Sequence, residues 1–180
     1  MEFFDVLDLN GNKAGKTKLR EEVHRDGDWH KSAGIFVVNS KGEMILQKRS
    51  ATKESNPNMW TVSASGHLSA GDNSHDTAIK ELEEELGIVA NKDELKYLFT
   101  VKEQKIFKNG FVDNEFFDIY LINRDVNIEN LSLQKEEVSE AKFVHYKELQ
   151  SMVKNGDKTL VEHDEIYDKL FEILDGIFGK

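Results

Sequence analysis

The residues with the clearest potential for chemistry are three glutamates near the middle of the chain. Glu81, Glu84 and Glu85 are spaced so that a helix would place them on one face. Three like charges there repel each other, close to the negative end of the helix dipole. Carboxylate oxygens are ligands that Mg²⁺ and Mn²⁺ prefer. The spacing therefore predicts a divalent-cation site, with a solvated acidic helix face as the alternative.

The segment that holds these glutamates has the pattern of a helix. Asp72 or Asn73 can cap its start, and Gly87 stands where a helix-ending glycine belongs. We therefore predict a helix over residues 73–86. An apolar stripe with four-residue spacing runs beside the glutamates: Ala78, Leu82 and Leu86.

The rest of the chain is dominated by strands joined in hairpins, which indicates an α+β fold with a sheet covered on both faces. Strands are predicted at 3–9, 32–38, 43–48, 60–65, 95–107, 111–122 and 141–145. Further helices are predicted at 147–154 and in the apolar-striped C-terminal segment. Residues 18–32, 49–58 and 123–137 are polar and have no predicted element. We expect residues 1–180 to form a single domain.

Composition excludes several functional classes. The 180 residues include 24 Lys and Arg against 34 Asp and Glu, a net charge of −10, so we expect no nucleic-acid or anionic-membrane partner. The chain has no Cys, which excludes disulfides, thiol catalysis and Cys-ligated zinc. Its apolar runs are short and its N-terminus is acidic, so the expected compartment is the cytoplasm. A homodimer stays an open alternative.

The segment from Gly66 to Ile88, GHLSAGDNSHDTAIKELEEELGI, resembles the Nudix box. The family pattern is G-x5-E-x7-R-E-U-x-E-E-x-G-U, where U is aliphatic. Asp72 replaces the first Glu and Lys80 replaces the Arg, and both substitutions keep the charge. The resemblance implies the Nudix fold, a mixed β-sheet sandwiched between α-helices. It also implies hydrolysis of a diphosphate bond in a nucleoside diphosphate derivative or a similar small phosphorylated metabolite.

The resemblance implies roles for individual residues. Mg²⁺ or Mn²⁺ would be held by the three box glutamates and the carbonyl oxygen of Gly66. The general base is sought among Glu85, Glu136 and Glu137. The catalytic set is therefore Glu81, Glu84, Glu85 and Glu137. Candidate phosphate contacts are Lys48, Arg49 and Lys53, with solvated edge-strand charges as the alternative.

Outside the box, the chain resembles the Nudix branch that is similar to isopentenyl-diphosphate isomerase. The residues that carry this are DVLD at 5–8, Arg20, His24, Gly27, His30, LQKRS at 46–50, Lys53, Trp60, Gly66, His67 and EVSEAKFV at 137–144. The isomerase metal set of three His and two acidic residues has counterparts here. They are His24, His30, His67, Asp113 and Glu115, a second candidate metal site; the alternative is ordinary hydrogen-bonded histidines.

One substitution argues against isomerase activity. The isomerase places a Cys before the Gly-His pair, and this chain has Ser65 there. A hydroxyl is a much weaker acid than a thiol and a poor replacement in proton transfer. We therefore favour a hydrolase over an isomerase. A non-catalytic nucleotide-binding domain is a third reading, against which the complete glutamate set argues.

Overall fold

The computed structural model describes residues 1–179, in which nine strands form one mixed sheet. The strands are β1 (Phe3–Leu7), β2 (Lys13–Leu19), β3 (Trp29–Val38), β4 (Glu43–Arg49), β5 (Trp60–Thr61), β6 (Ala64–His67), β7 (Lys96–Ile106), β8 (Val112–Asn123) and β9 (Val138–His145). The helices are α1 (Arg20–Asp26), α2 (Ser74–Leu86), α3 (Tyr146–Lys154) and α4 (Asp164–Phe178), with short 3₁₀ turns at Lys92–Glu94 and Ile128–Asn130.

Strand β3 is the hub of the sheet. It pairs antiparallel with β1, β4 and β6, and in parallel with β8 from Trp29 opposite Asn114 to Val38 opposite Asn123. In the rest of the sheet, β5 and β9 pair with β4, β7 pairs with β8, and β2 pairs with β1. The parallel pair among antiparallel ones makes the sheet mixed, as the resemblance to the Nudix box implies.

Helices cover the sheet on both faces, which explains why the second half of β3 is almost wholly apolar. Ile35 and Val37 pack with Leu82 of α2 on one face. Phe36 and Val38 pack on the other face with residues of α3 and α4, such as Leu170. This arrangement confirms the predicted α+β sandwich. No helix within residues 1–179 is long and apolar enough to cross a membrane.

The glutamate-bearing helix α2 is defined by its two ends. The Asn73 side chain accepts a hydrogen bond from the Asp76 amide at 2.9 Å, as a helix N-cap does. Gly87 ends the helix at φ +70°, a left-handed conformation that favours glycine, and its N–H donates to the Glu83 carbonyl at 2.8 Å. The predicted helix boundaries and caps are therefore confirmed.

Two predictions about local structure are wrong. The polar segment 18–32 contains the end of β2, all of α1 and the start of β3. Its polar residues conceal the periodicity because several of them, including His24 and His30, face an interior polar cluster. The single strand predicted at 60–65 is two strands, because β5 pairs with β4 whereas β6 pairs with β3.

Candidate active site

A cavity of about 610 Å³ beside α2 collects most of the predicted site residues. It is open enough to admit a ligand and lies in the size range of small-molecule sites. Its lining includes members of both predicted metal sites and two of the predicted phosphate contacts: Glu81, Glu84, Glu85, Glu137, Gly66, His67, Asp113, Glu115, Arg49 and Lys53.

Glu81, Glu84 and Glu85, here called the glutamate face, line the cavity with graded exposure. Glu85 is 5% exposed, and one of its carboxylate oxygens accepts hydrogen bonds from Gln47 Nε2 at 2.6 Å and the Ser65 amide at 2.9 Å. Burial raises the pKa of Glu85 to about 8 and also raises the pKa of Glu81. The Glu84 side chain is 48% exposed, with Lys80 Nζ 3.7 Å away. A cation would relieve the cost of burying these anions.

Gly66 has a steric reason to be glycine. It lies on β6 opposite Ala33 of β3, and the Glu81 side chain packs directly against its Cα. A Cβ atom at this position would collide with the Glu81 carboxyl group. The missing side chain therefore allows Glu81 to approach the strand that carries the proposed carbonyl ligand.

The three predicted phosphate contacts separate into two groups. Arg49 lines the cavity, where its guanidinium donates to the carbonyl and hydroxyl oxygens of Ser55 at 3.0 Å. Lys53 also lines it and pairs with Glu137. Lys48 lies on the opposite face of β4, where its ammonium pairs with Glu140 at 2.7 Å. The position of Lys48 speaks against phosphate contact, since neighbouring residues of a strand face opposite ways.

The second predicted metal set is brought together from four elements. We call these five residues the imidazole cluster: His24 on α1, His30 on β3, His67 on β6, and Asp113 and Glu115 on β8. Ligand atoms of the three histidines and Asp113 lie within 4.8 Å of one another. The Nε2 atoms of the three histidines are 3.4–3.8 Å from Asp113 Oδ1, and His67 Nε2 is also 3.2 Å from Glu115 Oε1.

Backbone carbonyls fix the orientation of two imidazoles. Nδ1 of His24 lies 2.8 Å from the Arg20 carbonyl oxygen, and Nδ1 of His30 lies 3.2 Å from that of Asp28. Because a carbonyl only accepts, each Nδ1 carries the hydrogen and each Nε2 presents a lone pair to the cluster. Among the described residues, the three Nε2 atoms and Asp113 Oδ1 are buried without a hydrogen-bond partner. A metal ion would satisfy all four.

The charges within the cluster favour a positive charge between its members. Burial lowers the pKa of His67, but the carboxylates of Asp113 and Glu115 beside its Nε2 outweigh burial and raise that pKa to about 9. Burial raises the pKa of Asp113, but the positive charge of protonated His67 counters burial and helps to hold that pKa well below its usual range. A proton on His67 thus supplies positive charge that a divalent ion would otherwise bring.

Two residues at the site were not singled out from the sequence. Gln47 holds Glu85 by a hydrogen bond, and Lys105 lines the cavity and adds positive charge to its wall, as do Arg20 and Lys80. The strand period of two was a usable signal for Gln47, because it must share a face with Arg49. Lys105 has no distinguishing local pattern, and only the fold brings it to the cavity.

Comparisons with known proteins agree with this fold. The family model described as NUDIX domain matches residues 28–164. The chain therefore belongs to the Nudix hydrolase family.

Two Nudix hydrolases are similar to this chain over nearly its whole length. The chain is 41% identical over 179 residues to Nudix hydrolase 3 of Arabidopsis thaliana, an alignment that covers 96% of this chain but 23% of the plant protein. It is 37% identical to an uncharacterized Nudix hydrolase of Clostridium acetobutylicum, covering 99% of this chain and 79% of the relative. This chain thus spans about a quarter of the plant relative's length.

More distant relatives agree with the isomerase-like features. Isopentenyl-diphosphate Delta-isomerase 2 of Photorhabdus laumondii is 30% identical over 155 residues, 86% of this chain and 83% of that protein. Among solved structures, DR0079 from Deinococcus radiodurans matches with a TM-score of 0.71 at 17% identity, covering 93% of this chain and 98% of that one. The structural match supports the fold alone.

Proposed function

We propose that this protein is a metal-dependent hydrolase that cleaves the diphosphate bond of a nucleoside diphosphate derivative or a similar metabolite. The observation that carries the proposal is the convergence of Glu81, Glu84 and Glu85 with Arg49 and Lys53 in one cavity. Anionic and cationic side chains together suit a ligand that is itself anionic and is bridged to carboxylates by a cation. A diphosphate is such a ligand.

The residues present fit Mg²⁺ or Mn²⁺. The donor set of the glutamate face, completed by the Gly66 carbonyl, is made of oxygen atoms, which hard divalent ions prefer. Burial of Glu85 beside Glu81 is costly without a compensating charge. When bound, the ion would supply Lewis-acid stabilisation of the phosphoryl oxygens.

The protein's own groups bind and orient the diphosphate. Arg49 is fixed by its two hydrogen bonds to Ser55, so its guanidinium can meet a phosphate with little loss of side-chain entropy. Lys53 exchanges its contact with Glu137 for one with phosphate, or keeps both. Gln47 and the Ser65 amide hold Glu85 in place.

A carboxylate must also take a proton from the attacking water. Glu137 is paired with Lys53, and one Glu85 oxygen already accepts two hydrogen bonds. Burial raises the pKa of Glu81, which makes its carboxylate more basic than an exposed one. We propose Glu81 as the proton acceptor, so the base lies within the glutamate face instead of in the loop that carries Glu136 and Glu137.

The test is a phosphate-release screen of nucleoside diphosphate derivatives and prenyl diphosphates with Mg²⁺, Mn²⁺ or EDTA. We expect turnover that requires the metal and is lost in a Glu81→Gln/Glu85→Gln variant. Failure of every diphosphate, or equal turnover in EDTA, would contradict the proposal. Incubation with isopentenyl diphosphate, followed by NMR, tests the isomerase alternative. We expect no dimethylallyl isomer, because Ser65 replaces the acidic thiol.

We also propose that the imidazole cluster holds a divalent transition metal. Three imidazole nitrogens with two carboxylates form a donor set that suits Mn²⁺, Fe²⁺, Co²⁺ or Zn²⁺. The four buried atoms without hydrogen-bond partners support it. Metal analysis of protein purified without chelator, compared with a His24→Gln/His67→Gln variant, tests the site. Equal metal content in the two proteins would contradict it.

A further inference from the structure

Two phenylalanine rings that the proposed reaction does not use lie against the imidazole cluster. Phe4 on β1 is fully buried and stacks on His30 and His67, with ring centroids 5.3 Å and 5.0 Å away. Its ring is nearly perpendicular to that of His24. Phe111, directly before β8, stacks on His24 with ring centroids 4.2 Å apart and an interplanar angle of 18°. Each of the three imidazoles therefore has a stacked aromatic neighbour.

His24 needs support from outside its own element. The other four members of the cluster lie on strands of the sheet, whereas His24 lies on α1, a helix of seven residues. A helix of that length is not stable by itself, so tertiary contacts must hold its side chains in place. The hydrogen bond from His24 Nδ1 to the Arg20 carbonyl lies within α1 and fixes the ring only relative to that helix. The stack with Phe111 fixes it relative to the β7–β8 hairpin.

Phe111 also lies between His24 and the cavity. The ring of Phe111 lines the cavity and covers one face of the His24 imidazole, which is buried. His67 and Asp113 line the cavity as well, so an ion in the cluster would exchange with solvent through this side. Without the Phe111 ring, the His24 imidazole could rotate away from such an ion into the space that the ring leaves.

The Asn109 side chain ties Phe111 to the loop that carries a candidate phosphate contact. Asn109 Oδ1 accepts a hydrogen bond from Phe111 N–H at 3.1 Å, and Asn109 Nδ2 donates to the Glu54 carbonyl at 3.4 Å. Glu54 directly follows Lys53, which lines the cavity. One exposed amide thus joins the tip of the β7–β8 hairpin to the opposite wall of the cavity. This link restrains Phe111 from the side away from His24.

We propose that Phe111 is a positioning residue that holds the His24 imidazole on the metal ion and slows loss of that ion, with Asn109 as its anchor. This inference rests on the metal site proposed for the imidazole cluster, because it assigns the residues that lock that site. Groups behind a metal ligand contribute about 10–100-fold to metal affinity. A stacked pair of flat rings gives an orientation that an aliphatic side chain of similar size does not reproduce.

The test measures how fast the protein loses Co²⁺ to an excess of chelator, followed by the absorbance of the bound ion. We expect Phe111→Leu to release Co²⁺ about 10-fold faster, and Phe111→Tyr, which keeps a flat ring, to release it at the unaltered rate. Asn109→Asp keeps the acceptor for Phe111 N–H but loses the donor to Glu54, so release should be about 3-fold faster. Ile106→Ala is the matched control, because Ile106 is an exposed apolar residue of the same hairpin.

A measurement on metal-free protein separates this inference from the metal proposal. NMR in EDTA reports how fast the hydrogen on His24 Nδ1 exchanges with solvent, which requires the ring to leave the Arg20 carbonyl. Phe111→Leu should speed this exchange by about 10-fold, and Ile106→Ala should not change it.

The outcomes separate the two proposals. If the unaltered protein binds no Co²⁺ but exchange is faster in Phe111→Leu, the metal proposal is contradicted and the positioning of His24 by Phe111 is supported. Equal exchange in Phe111→Leu and Ile106→Ala would overturn the positioning role, and so would equal Co²⁺ release from these two variants. Co²⁺ release that Asn109→Asp leaves unchanged would overturn the anchoring by Asn109.

Discussion

The imidazole cluster and the glutamate face share one cavity but are built in different ways. The cluster draws its ligands from one helix and three strands, and its buried atoms converge within 4.8 Å. The glutamate face comes from a single helix, and its members range from buried Glu85 to half-exposed Glu84. One region is enclosed by the sheet, and the other opens toward solvent.

This difference indicates different roles for the two regions. In the imidazole cluster, folding already brings the buried ligands together, and backbone carbonyls orient two of them. A preformed site of this kind favours tight binding of a resident ion. A helix face with free coordination positions leaves room for phosphate oxygens and water beside the ion. We therefore expect the imidazole cluster to hold its metal without substrate, and the glutamate face to complete its coordination with substrate.

The largest effect is expected at the glutamate face. Glu84→Gln removes a charge from the proposed ion site without changing side-chain size, so kcat should fall by about 10²–10³-fold. Steady-state kinetics on the best substrate of the screen measure it. Glu83→Gln is the control, because Glu83 is exposed on the same helix. Similar rates for the two variants would show that Glu84 holds no ion.

The next effect concerns the imidazole cluster. His67→Gln removes one imidazole from a cluster of three and should weaken Mn²⁺ or Co²⁺ binding by about 100-fold. Even the loss of a group that only hydrogen-bonds to a metal ligand lowers metal affinity by about 10–100-fold. Competition with a metal chelator measures the affinity. His75→Gln, on the first turn of α2, should leave it unchanged. Unaltered metal affinity in His67→Gln would contradict the proposal that the imidazole cluster holds a resident ion.

Without metal, stability should depend on pH in both regions. Between about pH 4.5 and 8 for Glu85, and 6.5 and 9 for His67, the folded state holds more protons than the unfolded state. Stability is therefore lost as pH rises, by about 2 kcal/mol between pH 6 and 8 for Glu85. Chemical denaturation in EDTA measures the slope. Glu85→Gln should flatten it, and an unchanged slope would contradict the burial argument.

The smallest effect is expected where the two regions meet, at Gly66 and its neighbour His67. Gly66→Ala places a methyl group against the Glu81 carboxyl, so Glu81 must shift, and kcat/KM should fall by about 10-fold. The apparent Mg²⁺ affinity should fall with it. Gly176→Ala in α4 is the control, since its added methyl group meets open space. Normal kinetics for Gly66→Ala would show that Glu81 tolerates displacement.

Much of the fold was predictable because its signals are local. The apolar stripe, the Asn73 cap and Gly87 specify α2 within one segment. The hairpin strands follow from alternation and turn residues in the same way. The start of β3 was missed because His30 and its polar neighbours serve a cluster and give no strand pattern. Lys48 was predicted as a phosphate contact on the basis of its charge. The strand period of two places its side chain on the face of β4 that is opposite to the face of Arg49.

The sequence by itself determined the glutamate face, since helical periodicity fixes which carboxylates share a side. It also supplied the residues of the imidazole cluster, through their resemblance to a known metal set. Only the tertiary structure decided that those five residues meet, because the pairing of β3 with β6 and β8 brings His30, His67 and Glu115 together. It alone set the burial that raises the pKa of Glu85, and the register that places Lys105 opposite Asp113. Desolvation and strand register depend on distant segments, which no local pattern encodes.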